Sequence, residues 1–295
     1  MAGSRSTKKT GEGMAVDIGH LGQWVGKSES RRERLSAFPS NALAATLDHA
    51  ETYDEGAALP PLWHWLHFLP INPMAEVGED GHPRRGGFLP PVPLPRRMWA
   101  GSRLSFLRPL VIGDTISRVS TITKVDHKAG RSGDLVFVTV RHEMSGAEGV
   151  AIEEEHDIVY RDAAQPGAPA PAPVPAPEEG DWARPIHPDP VLLFRYSALT
   201  FNSHRIHYDL DYVRDVEGYP GLIVHGPLIA TLLLDGLRRA RPEARVTRFS
   251  FRALSPIFHT DAFAVCGRID ADGQVQLWAK KPDGTLCMDA KAEIA

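Results

Sequence analysis

The stretch Phe201–Gly226, FNSHRIHYDLDYVRDVEGYPGLIVHG, concentrates the groups of this chain best suited to moving protons. His204, His207 and His225 fall within it, together with Asn202 and Asp209, and it closes on the apolar run Gly221–Val224 followed by His225-Gly226. Imidazole titrates near neutral pH, so histidines set beside an apolar run and a helix start suit acid–base work on a small molecule. Most histidines elsewhere in a chain are satisfied polar residues. His64, His67 and His82 are assigned no role on that ground, and Tyr208 and Tyr212 are read as packing.

Positioning such a site requires a rigid helix behind it. Leu228–Arg239 supplies the clearest helical pattern: Leu228, Leu232, Leu233, Gly236 and Leu237 share one face, basic residues crowd the C-terminal end, and Pro242 stops it. A second helix is expected over Asn41–Asp48 with Ser40 as its N-cap. Leu59–Pro70 is read as a strand or buried extended segment, and Pro190–Thr200 as a strand or short helix. Runs rich in Val, Ile, Thr and Phe predict strands at Arg103–Pro109, Thr115–Asp126, Leu135–Met144 and Val150–Arg161, and again at Val246–Ala253, Ala262–Ile269, Val275–Lys280 and Leu286–Ile294. Their short connections predict antiparallel pairing.

Between the two sets of strands lies DAAQPGAPAPAPVPAPEEGD, with six prolines from Pro166 to Pro177. Alternating Ala-Pro makes an extended, semi-rigid spacer. The expected organisation is a tail over 1–14, an N-terminal half over 15–162, a linker over 163–184 and a C-terminal half over 185–295. Met14 is a candidate alternative start.

Composition excludes several classes. The chain has 295 residues, a net charge of −4 and a pI near 6.4, so it lacks the basic footprint of a nucleic-acid binder. No run approaches the ~18 apolar residues of a membrane span. Cys266 and Cys287 form neither a disulfide framework nor a zinc pattern, and a reducing cytoplasm is the default expectation.

The halves echo each other. Arg103-Leu-Ser-Phe106 matches Arg248-Phe-Ser-Phe251, and Pro109–Asp114 matches Pro256–Asp261 with the same spacing. Duplication is the favoured reading. Trp99-Ala-Gly101 is aligned with Val224-His-Gly226, which sets Ala100 opposite His225. With no counterpart of NSHRIHYD in the first half, one half is expected to be catalytic and the other to cover substrate.

These residues resemble a known family. Asn202-Ser-His-Arg-Ile-His207 and Leu222–Gly226 resemble the MaoC-like double hotdog hydratases and dehydratases. The form TFNSHRIHYD resembles in particular the branch of mesaconyl-C4-CoA and itaconyl-CoA hydratases and mitochondrial-type 3-hydroxyacyl-thioester dehydratases. Ala42–Asp48, Leu59–Trp65, Gly86–Pro91 and Arg97–Gly101 resemble that branch's first half. The resemblance implies an α+β fold, a double hotdog of two antiparallel sheets each wrapping a helix. It implies hydration of a short branched dicarboxylic enoyl-CoA, with CoA only as the carrier and no further cofactor or metal. Dehydration in fatty acid synthesis is the alternative, followed by a thioesterase or a non-catalytic thioester binder. His207 is the implied base, and the Gly226 N–H at the helix start the implied oxyanion donor. His225 places that start, His204 is a second proton-handling candidate, and Arg252 is the candidate for CoA phosphate. Asn202 stands at the family's aspartate, and an amide has no carboxylic proton to give. The partner is thus an acyl-CoA; neither nucleic acid nor membrane is expected, and self-association is left open.

Overall fold

The computed structural model describes residues 16–130, 133–162 and 172–295. The tail over 1–14 with Met14, and the linker residues 163–171, lie outside them. In chain order the elements are α1 (Ile18–Leu21), β1 (Ser28–Arg34), α2 (Ala37–Thr46), β2 (Arg96–Phe106), β3 (Thr115–Gly130), β4 (Gly133–Gly146) and β5 (Gly149–Arg161). Then follow β6 (Trp182–Ile186), α3 (Pro190–Leu199), α4 (Leu210–Asp215), α5 (Gly226–Ala240), β7 (Val246–Ala253), β8 (Phe263–Ile269), β9 (Gln274–Lys280) and β10 (Leu286–Ile294).

The strands form one antiparallel sheet in the order β1-β3-β4-β5-β2-β7-β10-β9-β8-β6. Its first five strands and its last five repeat one topology, with β1 corresponding to β6 and β2 to β7. The halves meet where β2 pairs β7, and there Leu104 faces Phe249. These are the equivalent positions of the Arg103–Phe106 and Arg248–Phe251 motifs, so the pseudo-dyad runs between them. The two expected sheets are therefore halves of a single sheet, and the duplication is a physical one.

The expected alignment of Trp99–Gly101 with Val224–Gly226 is corrected. Val224 N–H donates to Ile257 O and His259 N–H to Leu222 O; likewise Leu59 N–H donates to Leu110 O and Ile112 N–H to Ala57 O. Since Pro109–Asp114 matches Pro256–Asp261, residues 57–59 are the counterparts of 222–224. Pro60, not Ala100, then stands at the His225 position. The counterpart of the 15-residue α5 is a single 3-10 turn, Trp63–Leu66. Leu59–Pro70 is accordingly no strand: its prolines lack the N–H that a ladder needs.

Three further boundaries differ from expectation. β1 was hidden in SESRRER, an almost wholly exposed edge strand with no apolar alternation. α2 begins after Ser36 rather than Ser40, because Pro39 is tolerated within a first helical turn; Ser40 is fully buried inside the helix. The linker ends sooner than 184, since β6 starts at Trp182. Its described part is also docked: Leu286 N–H donates to Val174 O at 2.8 Å and Ala176 N–H to Gly284 O at 2.9 Å.

α5 is buried from Leu228 to Leu237 and packs across the C-terminal strands. Asp235 lies inside that buried run. Its carboxylate accepts from Arg184 at 2.7 Å and from Arg239 at 2.9 Å, and it also pairs with His49. This cluster ties α5 to β6 and to the residues following α2. Asp235→Ala leaves two arginines facing a hole, and is expected to cost about 2–4 kcal/mol. That is somewhat below the cost of breaking a fully buried pair, because both arginines retain access to water. Urea unfolding measures it; an unchanged midpoint would remove Asp235 from the framework.

Candidate active site

The site is assembled at the end of α3. Phe201 adopts a left-handed backbone (φ 48°), and Asn202 N–H returns to Ser197 O at 2.9 Å. Asn202 Oδ1 then accepts the His204 N–H at 3.0 Å, a local turn that sends the chain into a 3-10 turn over Arg205–His207. Asp209 follows as the N-cap of α4 and holds Arg205 at 2.7 Å, so its carboxylate is spent on structure. Ile223 N–H donates to Ile206 O, which sews the turn to the segment leading into α5.

His207 is buried, and its Nδ1–H donates to Ile223 O at 2.7 Å. A carbonyl only accepts, so this bond fixes the proton on Nδ1 and leaves Nε2 with a lone pair. The ring stacks on His225, with centroids 3.6 Å apart. His225 is the N-cap of α5, and its Nε2 is paired with Ser197 Oγ at 2.8 Å. His207, His204 and Asn202 line a cavity of about 2390 Å3, and so does Gly226 at the first position of α5. A Cβ on Gly226 would meet only the Trp99 carbonyl at 4.0 Å, so the helix start is open on its cavity side. Pro227 has no N–H, which leaves Gly226 as the leading donor there.

One group was missed in the sequence: His82, set aside there without a role. Its ring lies 3.9 Å from that of His204, which in turn meets His207 edge-on at 5.5 Å. Asp80 accepts from His82 twice, at the backbone N–H and at Nδ1, each at 3.0 Å. Asp80 and His82 come from the N-terminal half, so both halves contribute side chains to this row. Their loop is locked onto the Asn202–His207 turn: Arg205 N–H donates to Asp80 O at 2.9 Å, Arg205 also reaches Glu79 O, and Ser203 Oγ–H donates to Gly81 O at 2.5 Å. Gly81 has φ +88°, and a Cβ there would fall 1.8 Å from Ser203 O. Asp80, His82 and His204 hold their ligand atoms within 4.8 Å of one another, a donor set that suits a divalent transition metal. The one sequence signal near it is the run Gly78–Pro95, rich in Gly, Pro and charge, since a loop that long within a compact domain tends to be functional or disordered.

Burial sets the protonation of the whole row. It pushes His82 and His207 down to about 4 and His204 and His225 further below the usual imidazole range. Arg97 adds to the effect at His82 and His204. Asp80 is raised by burial, but the hydrogen bonds and charge of His82 outweigh that and hold it well below the ordinary carboxylate value.

A second polar group lines the N-terminal wall. The buried Glu154 accepts from Ser102 Oγ at 2.9 Å, Trp65 Nε1 at 3.1 Å and His64 Nε2 at 3.3 Å. His156 stacks on Trp99 at 3.9 Å. His67 is tied to Glu33 at 2.8 Å. Arg252, expected at the site, instead lies exposed on β7 beside Gly101 and Asp289 and does not line the cavity.

Two outcomes follow from the buried neutral imidazoles. A base with its pKa near 4 is unprotonated across the neutral range, so the acid limb of kcat/KM is expected near pH 4; a limb at 6.5 in the pH–rate profile would contradict a buried His207 base. Stability must move in the same window. Between about pH 6.5 and 4 the unfolded chain takes up protons that His82, His156 and His207 refuse in the folded state. The melting temperature is therefore expected to fall as pH drops through that window and to level off above it, as calorimetry can test.

Residues 62–259 match the family model for hydroxyacyl-thioester dehydratase type 2. The chain is 47% identical over 274 residues to a mesaconyl-C4-CoA hydratase of Chloroflexus aurantiacus, covering 92% of this chain and 96% of that protein. It is 29% identical over 266 residues to the mitochondrial hydroxyacyl-thioester dehydratase type 2 of Schizosaccharomyces pombe, over 80% and 88% of the two chains. Among solved structures, a MaoC-like dehydratase from Phytophthora capsici superposes with a TM-score of 0.68 at 16% identity, covering 95% and 99%. A Mycobacterium tuberculosis protein described as a double hotdog gives 0.57 at 14% identity, covering 92% and 96%. No helix among the described residues is long and apolar enough to cross a membrane. With two corresponding half-sheets around one cavity, and with these matches over most of its length, the chain belongs to the hydroxyacyl-thioester dehydratase type 2 family of MaoC-like double hotdog proteins.

Proposed function

We propose that the protein is a hydro-lyase that hydrates a short branched dicarboxylic enoyl-CoA, with mesaconyl-C4-CoA as substrate. The observation that carries this is the pairing of a base and a donor in one cavity: His207, with its free nitrogen fixed as Nε2, and the open N-terminus of α5 at Gly226. The 47% identity to the Chloroflexus enzyme supports the choice of substrate.

The chemistry uses these two groups. His207 Nε2 takes a proton from water as the oxygen bonds to the β-carbon. The displaced π pair moves onto the thioester oxygen, where the Gly226 N–H meets it. The enolate then collapses as the α-carbon takes a proton, and His207, holding the one just removed from water, is the group able to give it. No cofactor is required beyond the CoA that carries the acyl group. The two cysteines are free and buried, which suits a reducing compartment such as the cytoplasm. Thioester hydrolysis is disfavoured, because the carboxylate of α5, Asp235, is engaged by Arg184 and Arg239.

The size of the cavity favours one second reading, dehydration of longer 3-hydroxyacyl thioesters, as in the Schizosaccharomyces relative's name. Incubation with mesaconyl-C4-, itaconyl- and crotonyl-CoA and a chain-length series separates the readings, following both enoyl absorbance and free thiol. Hydration of mesaconyl-C4-CoA without thiol release is expected. His207→Ala is expected to lose about 100-fold or more in kcat. Thiol release without hydration, or normal turnover by His207→Ala, would sink the proposal.

A further inference from the structure

A free carboxylate brought into this cavity must find a cation, since a buried charge without a partner is strongly disfavoured. Most cavity cations are already engaged. Arg96 pairs with Glu217 at 3.3 Å, and Lys281 with Asp261 at 3.5 Å. Arg85 is spent on the carbonyls of Val92, Leu94 and Pro95. Arg31 faces Glu29 at 3.6 Å, and Arg118 faces the same carboxylate at 3.9 Å.

Arg97 differs. It lines the cavity, is only partly exposed, and has no carboxylate within ion-pair distance among the described residues. Its direction follows from strand register. Arg97 is paired with Tyr160 on β5, and Tyr160 with Val136 on β4; both partners are fully buried. Directly paired residues share a face, so Arg97 projects inward, whereas Met98 beside it is exposed. Trp99, two residues on, lines the same cavity and stacks on His156. The Tyr160 hydroxyl is buried behind the cavity wall and does not line the cavity. Arg97 comes close enough to that hydroxyl to oppose the upward shift caused by burial, and it also disfavours charge on His82, His156 and His204. A fixed positive charge is thus shared by the catalytic row and the N-terminal wall.

We propose that Arg97 is the anchor for the free carboxylate of the acyl group. The anchor rests on the proposed hydratase reading for its substrate class. In mesaconyl-C4-CoA that carboxylate is attached to the β-carbon, the carbon that takes the water. An anchor for it must therefore lie beside the catalytic histidines rather than at the distal end of the cavity. Arg97 meets this requirement by its place on β2: it lies two residues before Trp99, whose carbonyl is 4.0 Å from a Cβ on Gly226, and its charge reaches His82 and His204. A guanidinium there holds the carboxylate in a two-pronged pair and offsets the negative charge that would repel the incoming oxygen.

Binding of two unreactive thioesters tests this independently of turnover. Succinyl-CoA carries a carboxylate on its β-carbon, and butyryl-CoA carries a methyl group there. By calorimetry, the wild-type protein is expected to favour succinyl-CoA by about 10- to 100-fold, and Arg97→Met to abolish that preference while butyryl-CoA binding persists. Arg97→Lys is expected to restore part of it. Equal loss of both ligands would assign Arg97 to the phosphates of CoA, and an unchanged preference would assign the carboxylate elsewhere; either overturns the anchor. The reaction itself fails or stands separately: hydration of mesaconyl-C4-CoA undiminished in Arg97→Met keeps the hydratase and removes the anchor. An Arg97-dependent preference in a protein that hydrates no enoyl-CoA keeps the anchor and removes the hydratase.

Discussion

The pairing of β2 with β7 is the constraint on which the rest of the molecule depends. It joins two half-sheets of matching topology into one, with Leu104 against Phe249 at the pseudo-dyad. An isolated half would leave a long hydrogen-bonding edge unpaired, an invitation to association. Joining the edges within one chain removes that edge and brings the loops of the first half over the helices of the second. It is this closure that allows the Asp80–His82 loop to dock on Ser203 and Arg205.

Duplication of the sheet was not matched by duplication of what lies on it. The C-terminal half keeps a 15-residue helix with every residue from Leu228 to Leu237 buried. At the corresponding place the N-terminal half has only the turn Trp63–Leu66. A missing helix leaves volume and uncovered inner-face side chains, and native interiors do not leave such space unlined. Here it is lined by aromatic residues and a satisfied polar cluster, with Glu154 held by three donors. The asymmetry thereby makes a cavity while the paired edges keep the framework intact.

Much of this was legible in the sequence where a local signal and a tertiary role coincide. Strands such as Val246–Ala253 and Leu286–Ile294 were read at their true bounds because β-rich runs there end at real turns. His207 and Gly226 stood out because their neighbours repeat a known spacing. What failed had no local signature. β1 is charged and exposed, so periodicity is silent about it. Prolines and aromatics around residues 59–70 look alike whether extended or in a 3-10 turn. His82 acquires meaning only through contact with His204, more than a hundred residues away, and the ring spacing of 3.9 Å is set by loop docking rather than by anything adjacent in the chain. Arg252 stands beside the aromatic Phe251 in the chain, but alternation along β7 sends the two side chains to opposite faces, one buried and one exposed.

Asn202, which the resemblance sets at the aspartate position of the broader MaoC-like family, raises the question of which group would supply the second proton transfer. Its Oδ1 is tied to the His204 N–H, so the amide shapes the turn and does not titrate. The Asp80 carboxylate, the nearest substitute, is held ionised by His82, and the imidazoles of the row are held neutral by burial and by Arg97. At neutral pH no member of this set carries a spare acidic proton. On the proposed reading, the proton that reaches the α-carbon is then the one His207 removed from water. A single imidazole can serve both ends of the double bond only from one side, so water's two parts are delivered to the same face. On that reading, an asparagine in place of a carboxylate narrows the mechanism to one base and one travelling proton.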